Sequence, residues 1–208
     1  TDCVVVLLHA GYEYFNYPHP LQVTLCRELV AAGATLVVGH HPHVQQGAET
    51  IGKGLVCHSL GNLLLPEMRS TSGRIQYRKP VTKQFAILKA ELRVDQIESW
   101  AVTGGRCDRR YRLNLYEGAE SARFERAIEQ FSTPLRDGDY EAFWQAYVVE
   151  RRRELEREGM REIPAKLLRT DLKTLLRTLS REDLHRNLGR LNRLVRRGSS
   201  RRLRPHSN

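Results

Sequence analysis

The first forty residues alternate between short apolar runs and one segment of helical period. Continuous β-branched or aliphatic runs occupy residues 4–8 and 35–38, which is typical of strands buried on both faces. Between them, apolar residues recur with helical spacing over residues 21–32, and Gly33 is a suitable helix stop. This order predicts a βαβ unit, whose right-handed crossover makes its two strands parallel.

The middle of the chain has a strand-like pattern. A short apolar run predicts a third strand at residues 55–58. Residues 85–94 and 97–102 predict an antiparallel pair around Asp95, and residues 110–115 predict one more strand. Residues 68–83 have no clear period, so we expect a loop there.

From Glu117 onward the pattern is helical. The strongest amphipathic stripe has apolar residues at i, i+3, i+4, i+7 and i+8, namely Tyr140, Phe143, Trp144, Tyr147 and Val148. Leucine-rich patterns after Pro164 and Ser180 predict two more helices. We therefore expect an α/β domain at residues 1–115, a helical extension at 116–198 and a disordered tail at 199–208.

Composition changes this picture mainly through charge. The 208 residues carry a net charge of +10, but residues 1–150 have 16 Lys/Arg against 17 Asp/Glu, whereas residues 151–208 have 18 against 7. No apolar run approaches the roughly 18 residues that a membrane helix needs. The four cysteines form no CxxC pair, which argues against a disulfide scaffold or a zinc ribbon.

The basic extension has three interpretations. Its arginines can be solvated helix faces, a contact for an anionic membrane surface, or a site for an anionic polymer. After Arg151 the chain has no aromatic residue other than histidine. That absence argues against stacking on single-stranded nucleic acid.

Histidine is concentrated near the start, with six of the eight before residue 59. His9 follows the first predicted strand, and three more histidines follow the second, at positions 40, 41 and 43. Carboxyl ends of parallel strands lie at one sheet edge, where α/β proteins bind ligands. Imidazoles from both loops can share one ion through bonds of roughly 2.0–2.1 Å.

The spacing of the second group is informative. Pro42 favours an extended His41, and residues i and i+2 of extended chain point the same way. We therefore expect His41 and His43 to aim at one point and His40 to point elsewhere, with Gly39 allowing a close backbone approach. The alternatives are surface histidines without a metal and a complete three-histidine zinc site.

Three motifs then suggest a family: His9-Ala-Gly-Tyr-Glu13, Gly39-His-His-Pro-His43 and Ser59-Leu-Gly-Asn62. In this order they resemble the CapA family of capsule and poly-gamma-glutamate biosynthesis proteins, relatives of the calcineurin-like metallophosphatases. The resemblance implies part of a four-layer α/β/β/α sandwich with a two-metal site. It implies His9, His41 and His43 as metal ligands.

Two polar residues of these motifs each have two interpretations. Glu13 is implied to orient a histidine or to contact substrate, with a solvated loop carboxylate as the alternative. Asn62 is either a turn-forming residue or a residue that faces the site.

The implied activity is that of a phosphoesterase-type hydrolase in capsule, poly-gamma-glutamate or exopolysaccharide synthesis. Its cofactor would be two manganese, iron or zinc ions, and its substrate an anionic polymer or a phosphate-containing molecule. The family's earlier ligand motifs do not occur before His9, so we expect this chain to be the C-terminal half of such a protein. The alternative is a non-enzymatic capsule-assembly or envelope-binding factor. The expected location is the cytoplasm or the cell envelope of a bacterium.

Overall fold

A computed structural model describes residues 3–69, 75–76 and 80–157, which form a mixed α/β structure. In chain order the elements are β1 (Val5–His9), α1 (Pro20–Ala31), β2 (Leu36–His40), β3 (Ala48–Ile51), β4 (Gly54–Cys57), β5 (Met68–Arg69), β6 (Ile75–Gln76), a 3-10 helix (Pro80–Lys83), β7 (Gln84–Arg93), β8 (Gln96–Cys107), β9 (Leu113–Leu115), α2 (Gly118–Arg136) and α3 (Tyr140–Arg157). The helices predicted after Pro164 and the predicted tail at 199–208 lie outside the described residues. The domain boundary at residue 115 stays a prediction.

The predicted βαβ unit is confirmed. Strands β1 and β2 are parallel, with a register that runs from Val5–Leu36 to His9–His40. Strand β4 continues the sheet parallel to β2, and β3 pairs antiparallel with β4, giving the order β1-β2-β4-β3. The loop after β1 and the loop after β2 therefore leave the same edge of the sheet.

The ends of helix α1 are set by a capping side chain before it and a glycine after it. The His19 side chain accepts a hydrogen bond from the Leu21 N–H through Nδ1, at 3.1 Å, and so caps the first turn. Gly33, with a φ of 108°, follows the helix in a conformation that favours glycine. The end predicted at Gly33 is thus confirmed.

The two faces of the four-stranded sheet are covered by different elements. Helix α1 covers one face, where Cys26 packs with Val37 and Val56. On the other face Leu36 and Val38 pack against Leu88 of β7. The sheet formed by β7, β8 and β9 thus makes a third layer.

Several predicted bounds differ from the structure. Strand β3 was not predicted, because its four residues include the polar Glu49 and Thr50. The loop expected over residues 68–83 is wrong in part, since β5 and β6 pair antiparallel and a 3-10 helix follows. Two-residue strands are too short to leave a period in the sequence.

The predicted hairpin is confirmed but longer, and the strand predicted at 110–115 is shorter. Strand β8 continues to Cys107, well beyond the predicted end at residue 102. Strand β9 covers only residues 113–115, because residues before it form a turn in which Asp108 accepts hydrogen bonds from the N–H groups of Arg110 and Arg112. Those two amides are therefore not available for strand pairing.

The helices after β9 pack onto the α/β core. Helix α2 places Phe124 and Ile128 against Ala86 of β7. A Cβ at Gly104 would lie 2.4 Å from the Phe124 ring, so this glycine lets the ring approach the strand. The predicted stripe of α3 is confirmed as a buried face, in which Trp144 packs with Phe15 from the loop after β1.

In the part of the chain that the structure describes, no helix is both long enough and apolar enough to span a membrane.

Candidate functional site

The carboxyl edge of the parallel strands brings two of the candidate histidines into contact. His9 is the last residue of β1, and His41 directly follows β2. Nδ1 of His41 lies 3.2 Å from Nε2 of His9, and their ring centroids are 4.9 Å apart in an edge-on arrangement. The structure therefore places these two residues where the βαβ geometry predicts, while their role as metal ligands stays a prediction.

His43 joins the same group and is held by Asn62. Nδ1 of His43 lies 2.8 Å from the Asn62 Oδ1, and the His43 ring centroid is 6.0 Å from that of His41. The Asn62 Nδ2 donates to the carbonyls of His43 and Thr82, at 3.2 and 2.9 Å. Because the amide nitrogen donates twice to carbonyls, Oδ1 is the acceptor, and His43 carries its proton on Nδ1. In the neutral imidazole, Nε2 would then have the lone pair.

The backbone of the second loop differs from the predicted extended form. His41 has a φ of 103° and His43 a φ of 60°, both in the region that favours glycine. The Pro42 carbonyl between them accepts a hydrogen bond from the Tyr14 N–H at 2.8 Å, which ties this loop to the loop after β1. Strained backbone of this kind persists only where the surroundings fix it, and it is frequent at functional sites.

Gly39 makes the close approach that was expected of it. A Cβ at this position would lie 1.9 Å from the carbonyl oxygen of His58 on the neighbouring strand end. No side chain fits there without moving the backbone. Gly39 thus lets the second loop leave the sheet directly beside His58.

The remaining candidates lie outside this contact group. Glu13 is half-buried in the loop after β1 and forms no hydrogen bond or ion pair with the described residues. His40 is also half-buried and forms no hydrogen bond or ring contact with the other three histidines, as expected. Asn62 takes the orientation that faces the site.

The residues present fit part of a metal shell. The 3.2 Å between the two nitrogens of His9 and His41 suits neighbouring ligands of one ion with bonds of about 2.0–2.1 Å. Among the described residues, however, no group of three or more His, Cys, Asp or Glu side chains is arranged to hold an ion. A complete three-histidine zinc site is therefore not formed in this part of the chain.

A buried ionic network beneath the site was not predicted. Glu49 on β3 is 5% exposed and accepts from Arg27 Nη2 at 2.8 Å through Oε2. Its Oε1 lies 3.0 Å from Nε2 of His58, which is fully buried. Burial raises the pKa of the Glu49 carboxyl, but hydrogen bonds from His58 and Arg27 outweigh it and hold that pKa below its ordinary value.

The sequence contained one usable signal for this network. Glu49 lies 9 residues from His58 and 22 residues from Arg27 along the chain. A glutamate within a short strand next to a buried histidine indicates such a pair, because a buried carboxylate needs a cationic or hydrogen-bonding partner. The network fixes His58, against whose carbonyl Gly39 packs.

The aromatic residues of the loop after β1 mostly pack against α3. Phe15 lies 5.8 Å from the Trp144 ring, and Tyr17 lies 4.7 Å from that of Tyr147. Tyr14 differs, since its ring is 6.3 Å from the His43 ring and its carbonyl accepts from Arg151 Nε at 3.0 Å. These aromatic residues therefore pack mainly on α3, and Tyr14 lies at the border of the site.

Comparisons with known proteins concern the same part of the chain. Residues 1–67 match the family model described as bacterial capsule synthesis protein PGA_cap. The chain is 46% identical over 67 residues to the capsule biosynthesis protein CapA of Bacillus anthracis, covering 32% of this chain and 16% of that protein. It is 35% identical over 97 residues to the PGA biosynthesis protein CapA of Bacillus subtilis strain 168, covering 44% of this chain and 26% of that protein.

The matched segment contains all three candidate histidines and Asn62. An uncharacterized protein of Sinorhizobium fredii, y4sH, is 32% identical over 69 residues, covering 33% of this chain and 15% of that protein. The resemblance to the CapA family is therefore confirmed over the first third of the chain. The aligned region spans about a quarter or less of the length of these relatives.

Proposed function

We propose, from the CapA-like sequence of residues 1–67, that this protein acts in bacterial capsule or poly-gamma-glutamate synthesis as a metal-dependent hydrolase of the phosphoesterase type. The observation that carries the proposal is the 3.2 Å contact between His9 Nε2 and His41 Nδ1 at the carboxyl edge of the sheet. The proposed substrate is an anionic polymer or a phosphate-containing molecule, and the proposed cofactor is two manganese, iron or zinc ions.

The chain's own residues have distinct parts in this proposal. His9 and His41 would each offer one ring nitrogen to an ion, and His43 would offer Nε2. Asn62 keeps the proton on His43 Nδ1 and thereby leaves Nε2 available. In such sites a bound divalent cation activates water and stabilises the charge that develops on a phosphoryl group.

The exposed face of β1 supports a larger site. Val5 and Leu7 are 51% and 76% exposed. Because side chains alternate along a strand, they lie on the same face of β1 as His9. Strands of parallel sheets are usually covered on both faces. We therefore propose that further protein chain covers this face, supplies the remaining ligands and completes the four-layer α/β/β/α sandwich, of which α1 and the two sheets form three layers. The greater length of the relatives agrees with this.

Replacing His41 with alanine tests the proposed chemistry. With Mn²⁺ present, we expect the intact protein to hydrolyse bis(p-nitrophenyl) phosphate, and H41A to lower kcat/KM by roughly 100-fold or more, since a ligand is lost. The matched control is H40A, at the adjacent histidine outside the contact group. No hydrolysis by the wild-type protein, or equal rates for H41A and H40A, would refute the proposal.

A second function is favoured by the charge of residues 151–208, which have 18 Lys/Arg and 7 Asp/Glu. In this alternative the protein binds an anionic polymer or an anionic membrane surface and hydrolyses nothing. Wild-type protein that binds such a polymer at low salt, but shows no Mn²⁺-dependent hydrolysis, would favour it over the enzyme.

A further inference from the structure

A cavity of about 830 Å³ lies beside the 3-10 helix, near the start of β7 and the end of β8. Five of the seven described residues that line it are charged, namely Glu67, Lys83, Arg106, Asp108 and Arg109. The proposed metal chemistry uses none of them.

The strand register and a fixed turn bring the cationic residues together. Gln84 pairs with Arg106, so Lys83 lies beside the start of β7 at the level where Arg106 projects from β8. Arg109 follows in a turn that is held by Asp108, whose Oδ2 accepts from Arg112 Nε at 2.8 Å. Both oxygens of Asp108 are thus engaged within the turn, because Oδ1 accepts the two backbone N–H groups described above.

The charges of this lining are unevenly balanced. Glu67 forms an ion pair with Lys83, and Asp108 forms one with Arg112. The side chains of Arg106 and Arg109 form no hydrogen bond or ion pair with any residue that the structure describes, and the charge of Arg106 also acts on the nearby Tyr116 hydroxyl. Two arginines without an acidic partner therefore line the cavity, while Glu67 and Asp108, the acidic residues of its described lining, are already paired.

One peptide bond and two hydrogen bonds connect the cavity to the candidate histidines. Lys83 directly follows Thr82, the Thr82 carbonyl accepts from Asn62 Nδ2 at 2.9 Å, and Asn62 Oδ1 lies 2.8 Å from His43. Thr82 itself is 2% exposed, so this connection is a packed one. A molecule in the cavity would lie next to the 3-10 helix, whose Thr82 carbonyl accepts from Asn62, and Asn62 in turn orients His43.

We propose that this cavity binds an oxyanion, the phosphate or carboxylate group of the substrate, through Arg106 and Arg109. A guanidinium presents paired N–H donors that match two oxygens of either group. Its assignment to the substrate rests on the proposed function, whereas the binding of an oxyanion does not require a metal or hydrolysis.

Arginine modification at single-residue resolution tests this inference without a metal. The intact protein is treated with phenylglyoxal, with and without tripolyphosphate or citrate, at about 0.15 M salt to weaken binding elsewhere. Peptide mass spectrometry then gives the rate at each arginine. We expect either ligand to slow modification of Arg106 and Arg109 by about fivefold or more, with Arg123, exposed on α2, as the control.

The two ligands distinguish the sources of the oxyanion. Protection by tripolyphosphate alone identifies a phosphate site, protection by citrate alone a carboxylate site, and protection by both a general oxyanion site. In R106Q we expect the ligand to bind about tenfold more weakly, since one charge-assisted contact is lost. Protection of Arg109 should then need about ten times more ligand. Equal rates with and without ligand, or equal slowing at Arg123, would overturn the inference, whether or not hydrolysis is found.

Discussion

Replacement of Trp144 by alanine is expected to lower the free energy of unfolding by about 3–5 kcal/mol. Trp144 is 3% exposed and is surrounded by rings on several sides. Its ring is stacked at 6.1 Å on Tyr12 and lies 5.8 Å from both Phe15 and Tyr147. The substitution removes these contacts and leaves a cavity that neighbouring rings only partly fill.

The same substitution is expected to loosen the loop after β1, which borders the candidate site. That loop carries Tyr12, Tyr14 and Phe15, and α3 also fixes it by a hydrogen bond from the Asn16 N–H to the Tyr147 hydroxyl at 3.0 Å. Urea denaturation followed by far-UV circular dichroism measures the loss. The control is V149A in the same helix, where the side chain is 50% exposed and we expect a change within about 0.5 kcal/mol. Equal midpoints for W144A and V149A would contradict the packing described.

Replacement of Glu49 by alanine is expected to destabilise the protein by about 3 kcal/mol, because it leaves a fully buried His58 without its partner and Arg27 without its carboxylate. The Arg27 side chain is 43% exposed, so water screens part of that loss and the lower end of the range for buried pairs applies. The control is D95A, which breaks an ion pair with Lys53 in which both side chains are more than half exposed. We expect that change to cost less than about 1 kcal/mol.

The pH dependence of stability gives this prediction a second measurement. The pKa of Glu49 is below its ordinary value in the folded protein, so its contribution is fully present above the unfolded value of about 4.3. It is lost as the pH falls through the folded value. Between pH 6 and pH 3 the wild-type protein should therefore lose more stability than E49Q. Parallel curves for the two proteins would show that Glu49 is not held as a carboxylate by His58 and Arg27.

Part of the site could be predicted because it follows from topology. Two apolar runs joined by a helical segment indicate parallel strands, and parallel strands place the residues after them at one edge. The positions of His9 and His41 could be predicted from this topology alone. The expectation that His41 is extended failed because Pro42 is tied to the Tyr14 N–H, a contact between two loops that local preferences do not contain.

The rest of the site depends on contacts between distant residues. Asn62 belongs to a sequence motif, but its hydrogen bonds to His43 and Thr82 span about twenty residues each. The Glu49 network similarly joins α1, β3 and the end of β4, three elements that the βαβ pattern does not relate to one another. Strand β3 itself could not be recognised, since a four-residue strand with two polar residues, Glu49 and Thr50, has no distinguishing period.

The central proposal is that His9, His41 and His43 hold divalent metal ions. Elemental analysis tests it most directly, using protein expressed from its full open reading frame, reconstituted with manganese and then desalted. The proposal predicts about two ions per chain in the wild-type protein and a clear loss in H9A, with H40A retaining the wild-type content. Metal content near zero in the wild-type protein, or equal content in H9A and H40A, would contradict it.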